Sequence, residues 1–151
     1  MTTFAFLLTT VTAAVLCVSD FRSRTVSFIS LIAYAVAAIV YGWQIYGIWS
    51  ALTYAASGTI ISVIIFAVIC AYFRFREGKD SSVVDTKIGK GDLYFFILST
   101  FIFEPFWLVV FYVTSGIAGL MYYWANKAGT IPLIGVSVPF VIIYILINAF
   151  I

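Results

Sequence analysis

The stretch from Ile48 to Phe73 reads IWSALTYAASGTIISVIIFAVICAYF and contains no charged residue. A helix needs about 20 apolar residues to cross a hydrocarbon core roughly 30 Å thick, so this stretch predicts a transmembrane helix. Five further apolar stretches flank it: Phe4–Val18, Val26–Trp43, Leu93–Phe103, Phe106–Trp124 and Ile131–Ile151. The sequence therefore predicts an all-α integral membrane protein of six transmembrane helices, forming a single domain over residues 1–151.

The composition of the whole chain supports this class. Of 151 residues, 64% are apolar, and only eight basic and six acidic residues are present; the mean hydropathy is +1.16. A soluble domain normally has roughly a quarter of its residues charged, so this composition excludes a soluble globular protein, and its apolar content excludes a disordered chain. The net charge of +2 offers no basic face for a nucleic acid.

Two absences exclude further kinds of site. The chain has no His, which excludes His general bases, His metal ligands and Ser-His triads. Its two cysteines, Cys17 and Cys70, lie far apart in apolar runs and form no CxxC spacing of the metal-binding or redox type. We therefore expect neither a metal nor another cofactor.

The basic residues predict the topology. Six helices create five loops, and all eight Lys and Arg residues fall in the first, third and fifth: Arg22, Arg24, Arg74, Arg76, Lys79, Lys87, Lys90 and Lys127. The positive-inside rule places these three loops in the cytoplasm. We expect a multi-pass protein of the inner (plasma) membrane with both termini outside. The polar cytoplasmic loop from Arg74 to Gly91, between helices 3 and 4, is expected to be mobile.

Acidic side chains in or beside a membrane span are costly and mark candidate functional sites. This topology leaves four acids in water, either in the polar loop or at the outer interface: Glu77, Asp80, Asp85 and Glu104. Asp20 and Asp92 instead follow the first stretch and precede the fourth, at the same expected depth on the cytoplasmic side. If they meet, burial and mutual repulsion keep one protonated while the other is ionised, as in paired aspartates that activate water for peptide hydrolysis.

The tetrad Gly89–Asp92 has the pattern GxGD. Its two glycines let the backbone approach a substrate or a neighbouring helix closely, and they permit unusual dihedrals before Asp92. Taken separately, the two aspartates also allow a structural interpretation, in which Asp20 pairs with Arg22 or Arg24 while Asp92 N-caps the fourth helix. Taken together, the tetrad and the matching depth favour catalysis.

Three segments resemble motifs of the type IV prepilin peptidases, which are GxGD-type intramembrane aspartic peptidases. Residues 20–28, DFRSRTVSF, resemble the first active-site motif of that family, and residues 89–93, GKGDL, resemble the second. Residues 131–134, IPLI, resemble the start of its last helix. The resemblance implies a six-helix aspartic endopeptidase in which Asp20 and Asp92 are catalytic, Gly89 and Gly91 are motif glycines, and no metal takes part.

The resemblance also implies the substrate, which is the basic N-terminal leader of a pilin-like or archaellin-like precursor. Such leaders are removed at the cytoplasmic membrane face during type IV pilus assembly or protein secretion. We expect candidate substrate contacts at Arg22, Lys90, Glu77, Asp80 and Asp85. Ser27-Phe28 stands where the family has Pro-Asn, and Tyr94 stands where it commonly has Lys, so leader recognition is expected to differ. Because paired CxxC motifs are absent, the resemblance implies the minimal form, without methyltransferase activity.

Two other functions remain as alternatives. Presenilin-like and signal-peptide-peptidase-like GxGD proteases cut inside transmembrane helices, but they typically have a Tyr-Asp first motif and more spans, whereas Ser19 precedes Asp20 here. A small proton-coupled transporter or a non-catalytic scaffold would use the aspartates as a relay. A transporter is expected to have acids near the bilayer midplane, and none of the six stretches has one there.

Overall fold

A computed structural model describes residues 2–23, 26–77, 89–126 and 131–150, without the side chains of residues 2, 73, 76, 77 and 150. Within these ranges the chain is all-helical and has no strand, so the prediction of an all-α protein is confirmed. The six helices of the described residues are α1 (Thr2–Ser23), α2 (Phe28–Tyr46), α3 (Ile48–Glu77), α4 (Lys90–Ser99), α5 (Pro105–Asn126) and α6 (Leu133–Phe150).

Four of these helices, α1, α2, α3 and α5, are long and apolar enough to cross a membrane. The helix α6 is also apolar but is shorter, with 18 residues. The helix α4 has only 10 residues, and it therefore rises about 15 Å, roughly half the thickness of a hydrocarbon core. The six apolar stretches of the sequence thus correspond to six helices of unequal length.

The end of α4 differs from the predicted one. The fourth stretch was expected to remain helical to Phe103, but α4 ends at Ser99. The N–H groups of Thr100 and Ile102 bond to carbonyls three residues back, at 3.1 and 2.9 Å, which tightens the chain into turns. Pro105 then begins α5, at the first helical position, where its missing N–H costs nothing.

The ends of the first two helices also differ from the predicted ones. α1 continues past Val18, the predicted end of the first stretch, to Ser23 and includes Asp20. The second stretch was expected to end at Trp43, but α2 continues to Tyr46, and the chain reverses at Gly47, whose φ is 79°. Glycine is favoured in this left-handed conformation because it has no Cβ.

Five helices form a closed ring, in which α1 packs on α2, α2 on α3, α3 on α5, α5 on α6, and α6 on α1. The short helix α4 contacts α2, α3 and α6 and lies inside this ring. The outside of the ring exposes large apolar side chains, including Phe28, Ile29, Trp49, Phe106 and Trp124. Such an apolar exterior is typical of a surface that faces lipid. Because α4 packs against three other helices and buries Phe95, Phe96 and Ser99, its length does not have to match a bilayer.

The core around α4 is aromatic. Phe95 and Phe96 of this helix are buried, and the Phe96 ring stacks on that of Tyr112 in α5 with centroids 4.9 Å apart. At the other end of the helix, the hydroxyls of Tyr34 and Ser99 are hydrogen-bonded at 2.9 Å. Packing and hydrogen bonds between helices are what hold a bundle together where the solvent is lipid. The ring stacking and the hydrogen bond just described hold α4 in position, and with it the first turn of this helix.

Candidate active site

Asp20 lies in the last turn of α1, on the face that packs against α6. Ala13 and Leu16, on the same face, are fully buried, and Asp20 is only 6% exposed. Its Oδ2 accepts a hydrogen bond of 2.8 Å from the backbone N–H of Gly135. A carboxylate that is removed from water needs such donors, and α6 supplies one.

Asp92 lies in the first turn of α4 and is partly buried. The N-cap of this helix is Gly89, so Asp92 is not the N-cap that the structural interpretation assigned. It is three residues further on, and its carboxylate accepts a backbone hydrogen bond from Gly89, as the third helical residue does in a capping box. A second backbone hydrogen bond comes from Ile134 of α6.

The two carboxylates therefore meet at the first turn of α6. The first intrahelical bond of this turn runs from the N–H of Val136 to the carbonyl of Pro132, which leaves the preceding N–H groups without partners in the helix. Proline has no side-chain acceptor to cap them. Asp20 accepts a hydrogen bond from the N–H of Gly135, and Asp92 accepts one from the N–H of Ile134. Two helices that are far apart in sequence therefore each place one carboxylate on adjacent donors.

The protonation of Asp92 responds to this arrangement. Asp92 lies outside the four helices that are long enough to cross a membrane. The pKa of Asp92 is raised from its usual 3.8 to about 6. Burial is the larger cause, and the negative charge of Asp20 is the second. The backbone hydrogen bonds from Gly89 and Ile134 act in the opposite direction because they favour the ionised form. Asp92 thus keeps its proton up to a higher pH than an ordinary aspartate does, with half of it protonated at about pH 6.

The two motif glycines have different neighbours. A Cβ at Gly89 would lie 3.1 Å from Oδ2 of Asp92, and a Cβ at Gly91 would lie 3.5 Å from Val26, at the start of the second stretch. The expectation of unusual dihedrals is wrong for Gly89, whose φ of −65° and ψ of 139° are ordinary extended values. Gly89 therefore matters for the space beside Asp92 and not for its backbone conformation.

The predicted substrate contacts are only partly described. Arg22 and Lys90 are exposed, at the end of α1 and the start of α4. Asp80 and Asp85 lie outside the described residues, as does the side chain of Glu77. The predicted loop from Arg74 to Gly91 lies outside them for the most part, and so do Arg24 and Lys127.

Sequence reasoning did not identify Gly135 as part of the site. A Cβ at this position would come within 2.6 Å of the Phe21 ring, so any larger residue here would have to displace the side chain that follows Asp20. A signal was present in the sequence, since Ile131-Pro132-Leu133 starts an apolar helix without any capping side chain. A helix that starts in this way needs acceptors from elsewhere in the fold.

The site has the composition of an acid–base pair. Among the described residues, no group of three or more His, Cys, Asp or Glu side chains could hold a metal ion. What the arrangement offers is two carboxyl groups held by backbone donors at the start of one helix, with the pKa of Asp92 raised. No protein-family model, curated protein or solved structure matches the chain.

Proposed function

We propose that this chain is a membrane aspartic endopeptidase that removes the basic N-terminal leader from a pilin-like or archaellin-like precursor. The observation that carries the proposal is the meeting of Asp20 and Asp92 on adjacent N–H groups of α6. Acid–base cleavage of a peptide bond requires a pair of carboxyl groups of which one gives up its proton less readily than the other, and the raised pKa of Asp92 supports such a pair here. The resemblance of residues 20–28 and 89–93 to prepilin peptidase motifs points to the same chemistry.

In the proposed mechanism the ionised member of the pair accepts a proton from a water molecule as that water attacks the scissile carbonyl carbon. The protonated member donates its proton to the developing oxyanion. The member that accepted the proton from water then protonates the leaving amine as the C–N bond breaks, and the hydroxyl proton of the collapsing intermediate returns to the other member. The N–H groups of Gly135 and Ile134 hold the two carboxylates in position throughout. Each turnover returns one proton to the pair, so no other reactant than water is consumed.

The proposed location is the inner membrane, with all six helices within the bilayer and the aspartates at its cytoplasmic face. The distribution of Lys and Arg supports this side. Packing of α4 against α2, α3 and α6 allows a helix of 10 residues to belong to the membrane domain. Both aspartates lie at helix ends, and not near the middle of a span as expected of a transporter relay.

Coexpression with candidate precursors tests the function directly. We expect the wild-type chain to shorten a precursor that has a basic leader followed by an apolar helix, whereas the Asp20→Asn and Asp92→Asn variants leave it intact. Glu104→Gln is the matched control, because Glu104 lies between α4 and α5, beyond the opposite end of α4. Mass spectrometry of the product distinguishes the alternatives: cleavage within the apolar helix would favour a presenilin-like protease, and an intact precursor would contradict the proposal.

Cysteine labelling tests on which side of the membrane the aspartates lie. Cys17 and Cys70 are first replaced by serine, and single cysteines are then placed at Glu104 and at Asn126, the last residue of α5. We expect an impermeant maleimide to label position 104 in intact cells and position 126 only in inverted vesicles. The reverse pattern would overturn the cytoplasmic location of the aspartates.

A further inference from the structure

The last two turns of α1 contact Gly135 of α6 on three sides. The backbone N–H of Gly135 donates to Asp20 Oδ2 at 2.8 Å, and its carbonyl accepts from Cys17 Sγ at 3.4 Å. The ring of Phe21 covers its Cα, so that an added Cβ would come within 2.6, 2.8 and 3.0 Å of three ring atoms. Contacts below 3.0 Å do not occur without a shift of one partner. α1 and α6 thus approach each other closely at Gly135.

We propose that Gly135 is a positioning residue for the aspartate pair. Because it has no side chain, α1 approaches α6 closely enough for Asp20 to bind the N–H of Gly135, next to the N–H of Ile134 that binds Asp92. Two successive N–H groups of one helical turn have a fixed separation, and they therefore fix the separation of the two carboxylates. The kinetic consequence rests on the proposed peptidase function, whereas the juxtaposition itself does not.

The displaced group in an alanine variant would be Phe21. Its ring also faces the ring of Tyr122 in α5, with centroids 6.1 Å apart, so the ring has a neighbour beyond Gly135. Pushing this ring away from α6 moves the residue next to Asp20, and it weakens the hydrogen bond that Gly135 donates. No group of the proposed catalytic pair is removed by the substitution.

A kinetic comparison tests the proposal with Gly135→Ala and the matched control Gly116→Ala. Gly116 is also a helical glycine, but a Cβ there meets nothing within 4 Å. We expect kcat for leader cleavage to fall about tenfold or more in Gly135→Ala, since small displacements of reacting groups have effects of this size, with KM within about twofold. Gly116→Ala should equal wild type. Adding Phe21→Ala to Gly135→Ala should restore most of kcat, because it removes the clash.

Wild-type kcat in Gly135→Ala would overturn the positioning role, as would a loss that Phe21→Ala does not restore. A rise in KM with unchanged kcat would also overturn it, because it would indicate a role in binding.

A spectroscopic titration tests the juxtaposition without using activity. The infrared carbonyl band of protonated Asp92, assigned by its loss in Asp92→Asn, is followed against pH. Asp20→Asn removes the neighbouring charge and should lower the titration midpoint by about half a pH unit or more. Gly135→Ala should lower it in the same direction because it moves that charge away, and Gly116→Ala should not. Lys90, exposed in the same turn as Asp92, is unchanged in all of these variants.

An unchanged midpoint in Gly135→Ala, or in Asp20→Asn, would contradict the inference. If no precursor is cleaved by the wild-type chain, the proposed function fails, and this titration still decides the role of Gly135.

Discussion

The two ends of α4 bury polar groups of different kinds. Beyond its last residue, the hydroxyl of Tyr46 donates to the carbonyl of Ile102 at 2.8 Å and contacts the hydroxyl of Tyr144 at 2.9 Å. Because Tyr46 has given its only proton to Ile102, Tyr144 is the donor of the second bond. At the first turn of α4, by contrast, two carboxyl groups share the start of α6. One end is a chain of neutral groups, and the other brings like charges together.

This difference separates what stabilises the fold from what the site is for. The neutral tyrosine chain satisfies its buried groups and lowers the free energy of the folded state. The carboxyl pair does the reverse, because burial and repulsion oppose its full ionisation and raise the pKa of Asp92 to about 6. Two hydroxyl side chains would cap α6 without that cost. Function is expected where a protein keeps groups that oppose its own stability. The buried carboxyl pair is such a case, which favours catalysis over capping.

The largest expected effect is on cleavage and comes from the aspartate end. Asp20→Asn and Asp92→Asn should each lower kcat by at least about 100-fold, since an amide of nearly the same shape cannot exchange the proton. Tyr46→Phe, at the other end, should leave kcat within about twofold. Initial rates of purified variants on a leader peptide measure all three. Near wild-type turnover in either aspartate variant would refute the pair, and unfolding of both would support a capping role.

The next largest effect is on the pH dependence of stability. Because the pKa of Asp92 is raised from 3.8 to about 6, the folded chain binds more protons than the unfolded chain between these values. The free energy of unfolding therefore falls as the pH rises from about 4 to about 6, by at most about 3 kcal/mol. Asp92→Asn lacks this contribution.

Thermal unfolding in detergent across this pH range measures the effect. The difference in Tm between Asp92→Asn and the wild type should shift in favour of the variant by a few degrees from pH 4 to pH 7. For the control Glu104→Gln, the difference from the wild type should stay constant. A constant difference between Asp92→Asn and wild type would show that Asp92 is not perturbed by burial or by Asp20.

The helices could be predicted because the hydropathy of a stretch depends on the local sequence alone. The six stretches correspond to six helices, and α1 extends over Asp20 because no Gly or Pro lies between Val18 and Ser23. The end of α4 at Ser99 could not be predicted, because nothing between Leu93 and Phe103 is a strong helix breaker. Its early end depends on tertiary contacts such as the bond between Tyr34 and Ser99.

The candidate site was predictable only in part. Asp20 and Asp92 stand out because acids are rare in this chain, and the GxGD pattern singles out Gly89 and Gly91. The donors that bring the two aspartates together are backbone N–H groups, and every residue except proline has one. Their role depends on where α6 begins relative to α1, which is a property of the packed bundle. Sequence alone therefore identified the acids and not the turn of α6 that holds them.

A smaller effect is expected at the tyrosine end, on stability alone. Tyr46→Phe removes the donor to Ile102 and the acceptor for Tyr144, which leaves two buried groups without these partners. We expect a loss of about 1 kcal/mol or slightly more in the free energy of unfolding. Tyr123→Phe is the control, because Tyr123 is 47% exposed. Equal stabilities of the two variants would show that the tyrosine chain contributes nothing.

The smallest effect is expected at Tyr41, in the same helix as Tyr46. Its side chain is fully buried, and among the described residues its hydroxyl has no hydrogen-bond partner. Its ring packs edge-on against Phe6, with centroids 5.4 Å apart, and phenylalanine would preserve this contact. A buried hydroxyl without a partner opposes folding, so Tyr41→Phe should leave the Tm unchanged or raise it slightly. Tyr41→Phe and Tyr46→Phe each remove one hydroxyl group from the same helix. The difference between their free energies of unfolding therefore measures the contribution of hydrogen bonding, with packing held nearly constant. A loss in Tyr41→Phe as large as in Tyr46→Phe would mean that burial, and not the bond to Ile102, determines the stability of this end.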